Sequence, residues 1–251
     1  MTTNKHKTLR TGSAVIALVC TVGMFSSAPT HATGIGLGAT RLVFNAQAGQ
    51  TTVSVRNTAA VPYLVTSRLS RTLTGKENTP FFVSPPLLRL EGGSSTLLRI
   101  TGNTSALPQD RESVFFLTVT GVAPSNPLSR ESRDGFSAGG VVYAVGNTIK
   151  LFYRPNGLPS SAAEAAKALR FTRAGGQVRA ENHTPYYVSL MTLNINGRAI
   201  RTEAGKSDMI APFGTASWAV GAPYPMSQAD KVSWAAMVNL GEVVNGSATL
   251  Q

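Results

Sequence analysis

Hydrophobic and polar positions alternate along most of the chain from Gly36 onward. Short runs of β-branched and apolar residues are separated by turn-forming residues, a pattern typical of β-strands with one buried face. The pattern predicts strands at residues 51–56, 63–69, 96–101, 113–119, 141–153, 177–181, 186–195, 215–220 and 232–238. Strands at this spacing predict an all-β fold of the sandwich type.

A break in this pattern divides the chain. Two prolines and a glycine lie within residues 154–159, and the small residues that follow predict one short helix within residues 160–169. After it the strand pattern resumes. We therefore expect two immunoglobulin-like β-sandwich domains, residues 33–155 and 156–251.

The first 32 residues have the pattern of a secretory signal peptide. Basic residues occupy the start, an apolar stretch covers residues 14–24, and small residues lead to Ala32. The apolar stretch is shorter than the roughly 20 residues that a membrane-spanning helix needs. We expect residues 1–32 to be removed during export.

Composition restricts the chemistry of the exported chain. The chain has 23 Lys and Arg and only 12 Asp and Glu, so it is basic. A basic protein could bind nucleic acid, anionic lipid or an acidic protein, and the charge alone does not distinguish these partners. Export argues against a nucleic-acid partner. Without residues 1–32 the chain has no cysteine and one histidine, His183, which nearly excludes zinc or copper sites and cysteine nucleophiles. We predict no enzyme activity, no cofactor and no metal site.

The strand predicted at residues 141–153 is unusually long. At about 3.3 Å per residue it would span about 43 Å, more than a small sandwich needs. Its odd positions are apolar except Asn147, whereas Lys150 lies on the opposite face, and a long polar loop precedes it. An apolar strand at a sheet edge promotes aggregation unless another strand covers it. We predict that part of this strand contacts another molecule outside its own domain. The alternative is that its side chains pack only within that domain.

Five motifs, in order along nearly the whole exported chain, resemble the periplasmic pilus-assembly chaperones of Gram-negative bacteria. They are residues 36–44 (GLGATRLVF), 107–117 (LPQDRESVFFL), 149–155 (IKLFYRP), 182–188 (NHTPYYV) and 209–214 (MIAPFG). The resemblance implies a boomerang arrangement of the two domains. It also implies that the chain stabilises fimbrial or surface-fibre subunits by donor-strand complementation and delivers them to an outer-membrane usher.

The resemblance also implies roles for single residues. Arg41 and Lys150 match the family's two cations that bind the C-terminal carboxylate of the subunit, to which they offer charge-assisted hydrogen bonds. Val141, Tyr143 and Val145 are the candidate donor-strand side chains.

Two departures from the family pattern stand out. Glu112 and Arg154 match the family's interdomain ion pair, but residues 238–242 hold no Asp to complete it, so we expect a contact that is weaker or rerouted through Glu242. The long loop is similar to that of the long-loop branch of the family. That branch usually carries a cysteine pair flanking the loop, which the exported chain lacks.

Other functions remain as alternatives. A secreted immunoglobulin-like fibre subunit or adhesin would carry a long N-terminal extension, yet only residues 33–35 precede the first motif. A binder of anionic lipid or polysaccharide would cluster its cations, which here are spread along the chain. A hydrolase would need a general base, and none stands out. The resemblance leaves open which subunit and usher are partners, and whether the free protein self-caps as a homo-oligomer.

Overall fold

The computed structural model describes residues 34–75, 77–123, 144–201, 208–221, 227 and 229–251. The predicted signal peptide, most of the long polar loop, Val141 and Tyr143 lie outside the described residues. Within the described residues the chain forms seventeen strands and one helix.

The bounds of these elements are as follows: β1 (Ile35–Leu37), β2 (Arg41–Asn45), β3 (Gln50–Asn57), β4 (Tyr63–Ser70), β5 (Phe81–Ser84), β6 (Leu87–Leu90), β7 (Ser95–Gly102), β8 (Ser113–Val122), β9 (Ala144–Arg154), α1 (Ala162–Lys167), β10 (Arg170–Ala174), β11 (Gln177–Glu181), β12 (Val188–Ile195), β13 (Arg198–Ala199), β14 (Met209–Ile210), β15 (Thr215–Ala219), β16 (Lys231–Val238) and β17 (Glu242–Thr249).

The first nine strands form two sheets that enclose one hydrophobic core. One sheet has the order β1-β3-β7-β5 and the other has the order β2-β9-β8-β4-β6. Aromatic side chains fill the space between them, with the Phe81 ring packed edge-on against Phe44 and Phe115 at centroid distances of 4.9 Å. β2 and β9 are parallel, whereas β8 and β9 are antiparallel.

The remaining elements form a second sandwich with its own core. Its sheets have the orders β10-β11-β15 and β13-β12-β16-β17, and β14 pairs with β12. The short helix expected from the sequence is present, and the Ser161 hydroxyl caps it by accepting a hydrogen bond from the Glu164 amide. The indole of Trp234 donates to the carbonyl of Ala166, which fastens the helix to β16.

The prediction of an all-β fold with two immunoglobulin-like sandwiches is confirmed. The alternation pattern did not predict eight of the described strands, and all but β17 of these have five residues or fewer: β1, β2, β5, β6, β10, β13, β14 and β17. In β17 a glycine interrupts the pattern for a packing reason, because a Cβ on Gly246 would overlap the ring of Trp234. None of the helices among the described residues is long and apolar enough to cross a membrane.

Candidate functional site

One side of β9 is only partly covered. β8 pairs with β9 from Ala144 to Tyr153, which is all but the last residue of the strand. On the other side β2 pairs only with residues 150–154, and no other described strand pairs with residues 144–149. We call this uncovered side of residues 144–149 the open edge. At about 3.3 Å per residue it is about 20 Å long, enough to accept a short added strand.

The apolar face of β9 changes from buried to exposed along the strand. Ile149, Leu151 and Tyr153 belong to the core of the first sandwich and are at most 9% exposed. Val145 lies on the same face, since side chains alternate, but it is 43% exposed. The C-terminal part of the face therefore serves its own domain, while Val145 is available to another molecule.

Two cations lie side by side where the open edge meets β2. Arg41 and Lys150 are direct neighbours in the parallel register, on the face opposite the core. The Arg41 side chain is held in place, because its Nη1 donates to the carbonyl of Met237 at 2.7 Å and its guanidinium lies 5.6 Å from the ring centroid of Phe152. Sequence order places these two cations far apart, and the β2–β9 pairing brings them together. We call Arg41 and Lys150 the cation pair.

The cation pair is partly shielded from water. Arg41 is 8% exposed and Lys150 is half-buried. Burial lowers the pKa of both groups, the charge of Arg41 lowers that of Lys150 further, and Asp208 acts in the opposite direction. Within the described part of the chain, no carboxylate forms an ion pair with either cation. Two like charges removed from water are costly, so this position favours an anionic ligand.

Glu112 joins the first sandwich to the second. Its carboxylate accepts from Arg154 Nε at 2.7 Å and from the backbone N–H of Tyr187 at 2.8 Å, while its own N–H donates to the carbonyl of Pro185. Burial raises the pKa of Glu112, and the Arg154 charge and the Tyr187 amide oppose that rise. The structure thus brings together the two residues expected to form the interdomain ion pair.

Asn239 takes the place of the acidic residue that the sequence lacks at the expected interdomain contact. Arg154 Nη1 donates to Asn239 Oδ1 at 3.0 Å, and Asn239 Nδ2 donates to Glu242 at 3.1 Å. Asn239 has a φ of 45°, in the left-handed region that asparagine adopts more readily than most residues. Arg154 therefore reaches Glu242 through the Asn239 amide, which is a rerouted form of the expected contact.

A further polar residue organises the second-domain side of this junction, and sequence reasoning did not single it out. Asn182 is 1% exposed, and its Nδ2 donates to the carbonyls of Tyr186 and Ala211. It thereby joins the motifs 182–188 and 209–214, and the second motif presents Phe213 to the guanidinium of Arg111, 4.8 Å from the ring centroid. Both motifs are visible in the sequence, but only the fold shows that one amide connects them.

The described residues contain no cluster of three or more His, Cys, Asp or Glu side chains that could hold a metal ion. The arrangement instead combines an open strand edge, an exposed apolar side chain and two neighbouring cations.

Models of two protein domains match this chain. Residues 34–159 match the N-terminal domain of the pili and flagellar-assembly chaperone PapD, and residues 164–248 match the C-terminal domain of the pili assembly chaperone PapD. Together the two matches cover nearly all of the described chain.

Individual proteins agree with the domain matches. The chain is 38% identical over 181 residues to the probable fimbrial chaperone protein ElfD of Escherichia coli K12, covering 72% of each chain. It is 32% identical to the chaperone protein caf1M of Yersinia pestis, over 80% of this chain and 79% of that protein.

Solved structures show the same likeness. The E. coli chaperone DraB superimposes with a TM-score of 0.70 at 30% identity, covering 87% of this chain and 97% of DraB. A Salmonella enterica structure of the SafA pilin in complex with the SafB chaperone gives a TM-score of 0.72 at 25% identity, covering 88% of this chain and 98% of the matched chain.

Proposed function

Because the chain belongs to the family of pili and flagellar-assembly chaperones, we propose that it captures a fibre subunit at the open edge of β9. The C-terminal carboxylate of the subunit binds the cation pair, and the strand that ends in this carboxylate lies along residues 144–149. Val145, together with Val141 and Tyr143, enters the open core of the subunit. The SafA–SafB complex supports the choice of ligand class, since a chaperone of the same fold forms a complex with a pilin.

The observation that carries the proposal is the position of the cation pair at the end of the open edge. A strand whose carboxylate lies at Arg41 and Lys150, and whose body covers residues 144–149, must run in the same direction as β9. It also ends where β2 begins, because Arg41 is the first residue of β2 and pairs with Lys150. The added strand and β2 would therefore follow one another along the same side of β9.

The strand contact and the cation pair contribute differently to binding. Each main-chain hydrogen bond adds about 0.5–1.5 kcal/mol net, and each fully buried valine adds roughly 1.5–3 kcal/mol. A contact of six residues therefore supplies most of the affinity. The cation pair holds the chain end at one position, and this sets the register of the added strand.

The remaining parts of the proposal concern location, partners and domain organisation. The predicted signal peptide supports export to the periplasm, with delivery of the subunit to an outer-membrane usher. We place the two domains at residues 33–155 and 156–251, with the Glu112–Arg154 pair as a contact that holds them together. Whether the free protein forms a homo-oligomer that covers its own open edge is a separate question, answered by its mass in solution.

The cation pair is tested with Arg41→Ala and Lys150→Ala. Each variant is co-expressed with a fibre subunit that copurifies with the parent chain, and subunit levels in the periplasm are measured. We expect a folded chaperone and loss of most of the subunit, because the carboxylate has lost a charged partner. Arg89→Ala is the matched control, since Arg89 forms an exposed surface pair with Glu91.

Two outcomes contradict the assignment. Normal subunit levels with either variant would show that the carboxylate does not bind there. Unfolding of the free variant, measured by thermal melting, would show that the cation stabilises the chaperone itself.

A further inference from the structure

Asn147 interrupts the apolar face of β9 at the point where that face leaves the core. It lies on the same side of the strand as Ile149, which is buried, and Val145, which is exposed. Asn147 itself is half-buried. A polar side chain in this position needs a hydrogen-bond partner, and its partner lies in the opposite sheet.

That partner is the carbonyl of Ile35, which accepts a hydrogen bond from Asn147 Nδ2 at 2.8 Å. Ile35 belongs to β1, the edge strand of the sheet that faces β9 across the core. The carbonyl of Gly34 and the N–H of Gly38 both form hydrogen bonds towards β3. Successive residues of a strand direct their backbone groups to opposite sides, so the carbonyl of Ile35 points away from β3. Asn147 therefore satisfies a backbone acceptor that the sheet leaves unpaired.

The side chain of Ile35 occupies the end of the core, next to the open edge. Ile35 is 5% exposed and belongs to the core cluster of the first sandwich. It lies directly over Gly121, where an added Cβ would overlap Ile35 Cγ1, and Gly121 is the cross-strand partner of Val145. The position of β1 thus decides how far the core extends along β9.

We propose that Asn147 is a positioning residue that joins β1 to β9 at the end of the first sandwich next to the open edge. Its hydrogen bond holds Ile35 over the end of the core, which keeps Ile149 buried and leaves Val145 as the first side chain available to a subunit. The inference rests on the proposed function in one respect, namely that the molecule contacting Val145 is a fibre subunit. The position of the boundary between core and binding surface is a property of the free protein and can be tested without a subunit.

The test measures thiol accessibility along β9. The exported chain, without residues 1–32, has no cysteine, so single thiols can be introduced at Val145, Ile149 or Leu151. Each thiol is labelled with a maleimide in the free protein, with Asn147 intact and with Asn147→Asp. Aspartate has nearly the same shape as asparagine but cannot donate to the Ile35 carbonyl.

We expect Asn147→Asp to speed labelling at position 149 about tenfold, because loss of one hydrogen bond makes local opening of β1 easier. Labelling at position 145 should be fast in both backgrounds, and labelling at position 151 should remain slow. Asn147→Gln keeps an amide donor and should restore slow labelling at position 149.

Three results would overturn the proposal. Unchanged labelling at position 149 would mean that the hydrogen bond does not hold β1. Equal acceleration at positions 149 and 151 would mean a general loss of stability. Labelling with Asn147→Gln as fast as with Asn147→Asp would mean that the donated hydrogen bond is not the cause. None of these results would alter the outcome of the Arg41 and Lys150 experiment, so the two proposals fail separately.

Discussion

A charge at Val145 tests the proposed binding surface most directly. Full burial of a valine contributes roughly 1.5–3 kcal/mol, so covering the 43% that is exposed contributes about 0.6–1.3 kcal/mol. In Val145→Asp this contribution is lost, and the subunit core must also accept an unpaired carboxylate at a cost of about 3–5 kcal/mol. The combined loss of about 4–6 kcal/mol weakens binding a thousandfold or more.

The neighbouring residue supplies a matched control. Ala144 is exposed and lies on the opposite face of β9, so Ala144→Asp adds the same charge to the same strand without directing it into the subunit. Each variant is co-expressed with a fibre subunit that copurifies with the parent chain and is purified from periplasm, and the bound subunit is quantified. We expect near-complete loss with Val145→Asp and a retained complex with Ala144→Asp.

The free variants distinguish binding from folding. Because Val145 is already exposed, the aspartate remains hydrated in the free protein, and we expect cooperative melting close to that of the parent. Equal loss of subunit from the two charges would refute the assignment of Val145 to the binding surface. Unfolding of free Val145→Asp would refute it as well, because it would place Val145 in the core of its own domain.

Two further predictions concern the charges near the site. Glycine adopts the φ of 45° at position 239 without strain, but Asn239→Gly removes both side-chain hydrogen bonds. We therefore expect the free energy of unfolding, measured with urea, to fall by about 1–2 kcal/mol. An unchanged urea midpoint would show that the hydrogen bonds linking Arg154 to Glu242 contribute nothing to stability. Burial and Arg41 lower the pKa of Lys150 below its ordinary 10.5, and a bound carboxylate raises it. Binding therefore favours protonated Lys150, and subunit affinity should fall as pH rises through the lowered pKa. Lys150→Arg should flatten this decline, because a guanidinium stays charged; an identical pH profile would exclude Lys150 as its origin.

The fold class and nine of the seventeen described strands could be predicted from the amino-acid sequence. Alternation of apolar and polar residues depends only on which face of a strand is buried, so long strands such as β8 and β12 were predictable without tertiary contacts. The short strands β5 and β6 carry too few residues for a recognisable period. The motifs gave Arg41, Lys150, Glu112 and Arg154 as candidate site residues, because each lies within a characteristic run of neighbours.

How much of each apolar face is buried within its own domain depends on tertiary contacts. Val145 and Ile149 are alike in the sequence, both apolar and both at odd positions, yet one is exposed and the other is buried. The difference arises because β2 begins opposite Lys150 and β1 begins at Ile35, which bonds to Asn147. Both are contacts between segments more than a hundred residues apart. The same holds for Asn239, since its bond to Arg154 depends on how the two sandwiches meet. The local sequence pattern shows which side chains of a strand share a face. Whether that face is buried depends on which other segments pack against it.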